Sequence, residues 1–172
     1  YKTIVKDENW TSGKIGTTEE YKDFEDHVVL KRIWETETVF LSTYYIYDDF
    51  GNLRYVVPPA VTATAFTEAE AVFTQFIYGY KYDGRQRLVE KKIPGKDWEY
   101  LVYNKLDQVV LTQDGVQRGK ANQSWTSTKY DAFGRVIMTG IHTYGATANT
   151  SYRAAIQGLV DAQANQWEIK DP

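Results

Sequence analysis

A seven-residue pattern recurs along the chain, and it narrows the possible folds more than any other feature. Tyr47-Asp-Asp-Phe-Gly-Asn-Leu53, Tyr82-Asp-Gly-Arg-Gln-Arg-Leu88, Tyr103-Asn-Lys-Leu-Asp-Gln-Val109 and Tyr130-Asp-Ala-Phe-Gly-Arg-Val136 align without gaps. Each opens on Tyr followed by Asp or Asn, crosses four variable residues and closes on Leu or Val. Their starts are 82 − 47 = 35, 103 − 82 = 21 and 130 − 103 = 27 residues apart. A looser fifth copy, Tyr21-Lys-Asp-Phe-Glu-Asp-His-Val28, reads as one residue longer and lacks Gly. Self-similarity of this kind is the signature of a repeat architecture.

The pattern is turn chemistry. In Asp48-Asp49-Phe50-Gly51 and Asp131-Ala132-Phe133-Gly134, Asp stands first and Gly fourth, the places a type I turn favours for each. The Asp side chain caps backbone N–H groups, and Gly accepts positive φ. Asn104 can replace Asp because its side-chain oxygen accepts the same bond. Gln86 and Asp107 stand where Gly is expected, so those corners should carry strain or use another turn. The structural residues are then Tyr47, Asp48, Gly51, Tyr82, Asp83, Tyr103, Asn104, Tyr130, Asp131 and Gly134, at hairpin corners over 48–52, 83–87, 104–108 and 131–135.

The flanks alternate as strands do. Phe76, Tyr78, Tyr80 and Tyr82 share one face of an expected strand over 76–82. Ile93-Pro94-Gly95-Lys96 places Pro and Gly as a type II turn requires. Strands are expected near 2–6, 28–36, 38–47, 53–57, 76–82, 87–93, 97–103, 109–113, 125–130 and 135–143. The repeats run over 19–36, 40–57, 76–93, 97–113 and 125–143. Residues 114–124 are too polar for a strand and read as an exposed loop. Pro58-Pro59 ends a strand, and Thr67-x-x-Glu70 resembles a capping box opening a helix over 67–76. Ala155, Ile156, Leu159 and Val160 lie at helical spacing within 151–163, although Gly158 weakens that helix. The class is mainly β: an antiparallel hairpin meander with two short inserted helices, forming one segment over 1–172.

Composition removes function classes. Lys+Arg 20 against Asp+Glu 23 leaves a net charge of −3, with no basic excess for nucleic acid. Cys is absent, which excludes thiolate nucleophiles and cysteine-ligated metals. His27 and His142 are the two histidines; they form no local metal motif, and both read as ordinary surface or edge residues. No apolar run approaches the ~20 residues that span a bilayer, so no membrane insertion is expected. No P-loop, G-x-S-x-G or G-x-G-x-x-G occurs, so neither an enzyme nor a cofactor is expected. Asp48-Asp49 reads as a solvated turn before it reads as a cation site. Lys31-Arg32 and Lys91-Lys92 read as solvated basic pairs. Glycosylation sequons at Asn9, Asn122 and Asn149 mark surface loops.

The richest signal is aromatic, with Tyr 14, Phe 7 and Trp 5. Tyrosine suits a pleated surface that is apolar along the ring and wet at the hydroxyl. Tyr78 and Tyr80, joined by Tyr45 and Tyr47, are first a packing face and alternatively a carbohydrate- or cell-surface-binding platform.

The Tyr-Asp pairs, together with YKTIVKDENWTSGK at 1–14, YYIYDDFGNLRYVVPP at 44–59 and the IPGK-DW link within 80–114, resemble the RHS/YD-repeat family, in particular the large RHS proteins of Bacteroidetes. The resemblance implies a strip of long, twisted antiparallel sheet. In relatives such as the C component of insecticidal toxin complexes and the teneurins, such strips wind into a hollow shell, which in bacterial members encloses a secreted toxin domain. The implied role is a structural wall segment of an exported or cell-surface bacterial protein. Its implied partners are the adjoining repeats and an enclosed effector, and self-association through sheet edges is expected of the isolated strip. The chain opens at Tyr1 without Met and carries neither the family's self-cleaving core nor an effector, so it reads as a piece of a longer polypeptide.

Overall fold

The computed structural model describes residues 1–143 and 152–168. These group into two compact units: Tyr1–Tyr82 with Lys92–Lys96, and Asp83–Lys91 with the residues from Asp97 onward. Asn149 and the first residue of the expected second helix lie outside the described residues.

In the first unit, β1 (Lys2–Lys6), β2 (Thr17–Lys22), β3 (Val28–Trp34), β4 (Phe40–Tyr47) and β5 (Leu53–Val57) are followed by α1 (Ala71–Phe76) and β6 (Tyr78–Tyr82). Each strand pairs antiparallel with the next in sequence. In the second unit, β7 (Leu88–Lys92), β8 (Glu99–Tyr103) and β9 (Val109–Gln113) precede α2 (Gly115–Gly119). Then come β10 (Ser124–Tyr130), β11 (Val136–Thr143) and α3 (Tyr152–Asp161), the strands again pairing in sequence order. The class is the expected one, mainly β, an antiparallel meander of hairpins.

Several details differ from the sequence reading. β2 was not among the expected strands, although the loose repeat overlaps it. α1 covers six of the ten expected residues. Thr67 donates its hydroxyl to the Glu70 carboxylate at 3.1 Å rather than capping the helix, and Glu70 is itself the N-cap, its side chain making no capping bond. Phe76 ends that helix, so the aromatic alternation in β6 is Tyr78, Tyr80, Tyr82. The polar stretch after β9 is not a plain loop but contains α2. Asp114 accepts from the Gln117 N–H at 2.7 Å while the Gln117 side chain accepts from the Asp114 N–H at 3.0 Å, a closed capping box.

The first unit packs its 58–76 insertion through aromatics. Phe66 stacks on Phe73 at 5.9 Å, and Tyr55 meets both edge-on. Lys92 was expected in water but is 2% exposed. Its ammonium donates to the carbonyls of Phe73, Thr74 and Ile77 at 3.0, 2.9 and 3.3 Å, adding a charged donor at the C-terminal end of α1, where the Phe73 and Thr74 carbonyls also accept from the Ile77 and Gly95 N–H groups.

The second unit buries α3. Tyr152, Ile156 and Val160 form one stripe at i, i+4, i+8 against Val102, Leu111 and Trp125. The Trp125 indole N–H donates to the Tyr152 hydroxyl at 3.1 Å. Ala155 and Leu159, expected to face inward, are exposed. Ile156 and Val160 are buried as expected, and Tyr152 extends their stripe by one turn toward the helix start.

Candidate functional site

Five corners share one geometry, built from five consecutive residues each. The first residue, Asp23, Asp48, Asp83, Asn104 or Asp131, donates its N–H to the carbonyl of the fifth at 2.9–3.1 Å. Its side-chain Oδ1 accepts from the N–H groups of the third and fifth residues. For Asp48 these donors are Phe50 and Asn52 at 3.0 and 2.9 Å; for Asn104 they are Leu106 and Gln108, both at 3.0 Å. The fourth residue is left-handed throughout: Asp26 at φ 68°, Gly51 at 77°, Gln86 at 60°, Asp107 at 61° and Gly134 at 77°. Gln86 and Asp107 therefore occupy the same turn as the glycines and carry its strain, rather than adopting another turn.

The fifth copy is no longer than the others. Asp23 is its corner residue and Lys22 holds the tyrosine slot, so the pattern runs Lys22–Val28. Pairing shifts register at Tyr21/Lys22, Ile46/Tyr47, Val102/Tyr103 and Lys129/Tyr130. Each shift falls where a strand enters its corner.

Two parts of the corner escaped the sequence reading. The fifth residue returns to the first: Asn52 Nδ2 to Asp48 Oδ2 at 3.2 Å, Arg87 Nε to Asp83 Oδ2 at 2.8 Å, Arg135 Nε to Asp131 Oδ2 at 2.7 Å. At the Asn104 corner the direction reverses, Asn104 Nδ2 donating to Gln108 Oε1 at 2.7 Å. His27 Nδ1 lies 3.4 Å from Asp23 Oδ2 in the same slot, and its ring stacks on Tyr47 at 4.6 Å. Four residue types share this role, which hides it from pattern matching.

The second missed part is the tyrosine. Tyr47 donates its hydroxyl to the Val28 carbonyl at 3.1 Å, Tyr103 to Leu88 at 2.7 Å and Tyr130 to Val109 at 2.9 Å. Each acceptor is the first residue after the preceding corner, so the tyrosine bolts one hairpin to the one before it. Burial, first of all, raises the Tyr47 hydroxyl above its ordinary value, and the Asp23 and Tyr45 charges add to it.

The corners are electrostatically closed. Desolvation presses the Asp83 carboxyl upward, yet the Arg87 N–H and guanidinium outweigh it and hold the group below its usual range. Arg87 also donates to Asp107 at 2.8 Å, and Arg85 reaches the other Asp107 oxygen at 2.8 Å. Both oxygens of Asp48 accept bonds from Phe50 and Asn52. Among the described residues no group of three His, Asp or Glu is placed to hold a metal, and none of their helices is long and apolar enough to cross a membrane.

The remaining candidates are dispersed. Tyr78 and Tyr80 are half-buried on β6, with Tyr78 opposite Val56. Tyr82 is half-buried, and burial leads the upward shift of its hydroxyl. His142 lies in exposed β11, on the wall of a cleft of about 680 Å³ shared with Trp167 and Glu168.

No family model and no curated protein matches the chain. Solved structures do. The crystal structure of TcdB2-TccC3 without its hypervariable C-terminal region superposes with a TM-score of 0.56 at 12% identity, over 86% of this chain and 7% of that one. The TcdB2-TccC3-Cdc42 crystal structure gives 0.54 at 13%, over 77% and 6%. The Photorhabdus luminescens Tc holotoxin pore with a mutated TccC3 gives 0.55 at 12%, over 77% and 6%. The chain thus spans about one-fifteenth of those polypeptides' length, and the likeness at these identities is one of fold. In fold, this run of Tyr-Asp corners is similar to a short stretch of a toxin-complex polypeptide.

Proposed function

We propose that the chain is a structural repeat segment of an exported bacterial RHS protein, forming part of the β-sheet wall that encloses or displays a C-terminal effector. One observation carries this reading: the side chains of the corner are spent on holding hairpins together. The carboxyl is occupied by backbone N–H groups, the fifth residue by the carboxyl, and Tyr47, Tyr103 and Tyr130 by the preceding hairpin. A device that uses its polar groups internally builds a surface and leaves catalysis to other parts of the protein. The fold likeness to TcdB2-TccC3 chains supports the same role, and the hypervariable C-terminal region that one of those structures lacks fits a wall with an exchangeable passenger.

The test is electron cryomicroscopy of the polypeptide that contains this chain, combined with protease protection of its C-terminal region. The expected result is hollow density with this strip in the wall and a C-terminal region that survives until the wall is opened. A solid or extended particle whose C-terminal region is digested at once would refute the proposal.

A further inference from the structure

Within the second unit, a helix takes the place of a strand partner. Among the described residues β7 and β8 pair at Glu90↔Tyr100 and Lys91↔Glu99 and no further, although they run on to Leu88 and Tyr103. Past that point the main chain of β8 turns to α3 and the residues after it. Arg153 donates to the Leu101 carbonyl at 3.3 Å. Gln157 takes both groups of Tyr103, accepting from its N–H at 3.1 Å and donating to its carbonyl at 2.7 Å, as a residue on a neighbouring strand would. Gln166 Oε1 accepts from the Lys105 N–H at 2.9 Å.

The helix is poorly made to stand without these bonds. It has ten residues, with no acidic residue in its first turn and no basic one in its last, and Asp161 ends it on the charge that the helix dipole disfavours there. Gly158 lies near its middle, where glycine weakens a helix. A helix this short is marginal in water on its own. Its stripe of Tyr152, Ile156 and Val160 covers Val102, Leu111 and Trp125, while β8 keeps a separate pairing with β9 from Tyr100 to Tyr103. We infer that α3 is a displaceable lid latched by Gln157. The carboxamide holds the Tyr103 main chain while the helix covers the Trp125 surface, and the lid opens with the β8–β9 ladder intact. Opening unveils an aromatic and aliphatic surface that the closed state hides. This moving part is independent of whether the chain encloses an effector.

The test is amide hydrogen exchange on the whole chain, as wild type and as Gln157→Ala, Gly158→Ala and the double variant. A Cβ at Gly158 enters open space, and alanine raises intrinsic helicity at either position. A helix loosened by Gln157→Ala has therefore lost its latch and not its propensity. Gln157→Ala should speed exchange across Tyr152–Asp161 and at Tyr103 about tenfold or more, the worth of two hydrogen bonds, and leave the β8–β9 ladder unchanged. Adding Gly158→Ala should slow α3 again by about fivefold, while the Tyr103 amide stays fast because its acceptor is gone. Anilinonaphthalene sulfonate should brighten with Gln157→Ala and dim again in the double variant, following the exposed apolar surface. Unchanged α3 exchange in Gln157→Ala overturns the latch. Loss of protection in the β8–β9 ladder together with α3 overturns the lid, since helix and sheet would then open as one. Recovery of the Tyr103 amide in the double variant overturns the contact assigned to Gln157.

Discussion

Left-handed backbone at the fourth corner position falls on glycine at two corners and on a larger residue at three. Gly51 and Gly134 take φ 77° without a Cβ, and a Cβ built there would meet the His27 ring or the Gln108 amide at 3.1 Å. Gly51→Val and Gly134→Val should each cost about 1–3 kcal/mol, since a β-branched side chain resists positive φ. Gln86 already bears the strain, so Gln86→Gly should stabilise by about 0.5–1 kcal/mol. Thermal melts of the three variants check this, and a loss at Gln86→Gly equal to the others would refute it. The corner acids set a second expectation. Desolvation raises Asp23, Asp48 and Asp83, but the N–H donors prevail and leave each below the ordinary carboxyl value; at Asp131 the Arg135 N–H leads to the same outcome. The folded state then binds fewer protons than an unfolded chain whose Asp titrates near ~3.9. The contribution is present above that pH and lost as pH falls through the depressed values. Melting temperature should hold from neutrality to about pH 4.5 and decline below it, and Asp83→Asn should make the decline shallower. An identical acid profile in that variant would count against the argument.

Among the elements, α1 depends on a residue far from it in sequence. Lys92 brings its charge to three carbonyls at the end of a six-residue helix. Lys92→Met keeps the apolar stem and removes the charged donor, so it should cost about 1–3 kcal/mol, the worth of hydrogen bonds from a charged group. A urea titration measures it; an unchanged midpoint would show that the ammonium contributes nothing. The strands were legible because alternation is a local property: 2–6, 53–57 and 109–113 fall where expected, and the corners where Asp and Gly place them. The helices were less so. The Asp114-x-x-Gln117 box was present to be read, but its polarity suggested a loop. The inward stripe of α3 depends on what Trp125 and Val102 offer it, which no window of the helix contains. Lys92 looked solvated because its neighbour Lys91 is also basic, and only the fold brings the α1 carbonyls to it.

For the molecule as a whole, the aromatic content divides into packing and bolting. Phe73, Trp125 and Tyr152 fill the two units' interiors, and Tyr47, Tyr103 and Tyr130 bond across hairpins. Tyr78 and Tyr80 are half-buried on β6. If they serve packing, Tyr78→Ala and Tyr80→Ala should each lower stability by about 1–2 kcal/mol. Wild-type glycan binding that both variants abolish at unchanged melting temperature would assign them to a carbohydrate platform instead.

Alternate connections in a meander lie at opposite strand ends, and in each unit the two margins obey different rules. Corners 23–27, 48–52, 104–108 and 131–135 always span five residues, because the first and fifth bond to each other. On the opposite margin the links vary, from five residues at 35–39 to twenty at 58–77, which is why the repeat starts are unevenly spaced. Within each unit, length is metered along one margin and left open along the other. A protein built this way can acquire new loops, recognition surfaces or processing sites on the open rim while its strand pairing stays untouched.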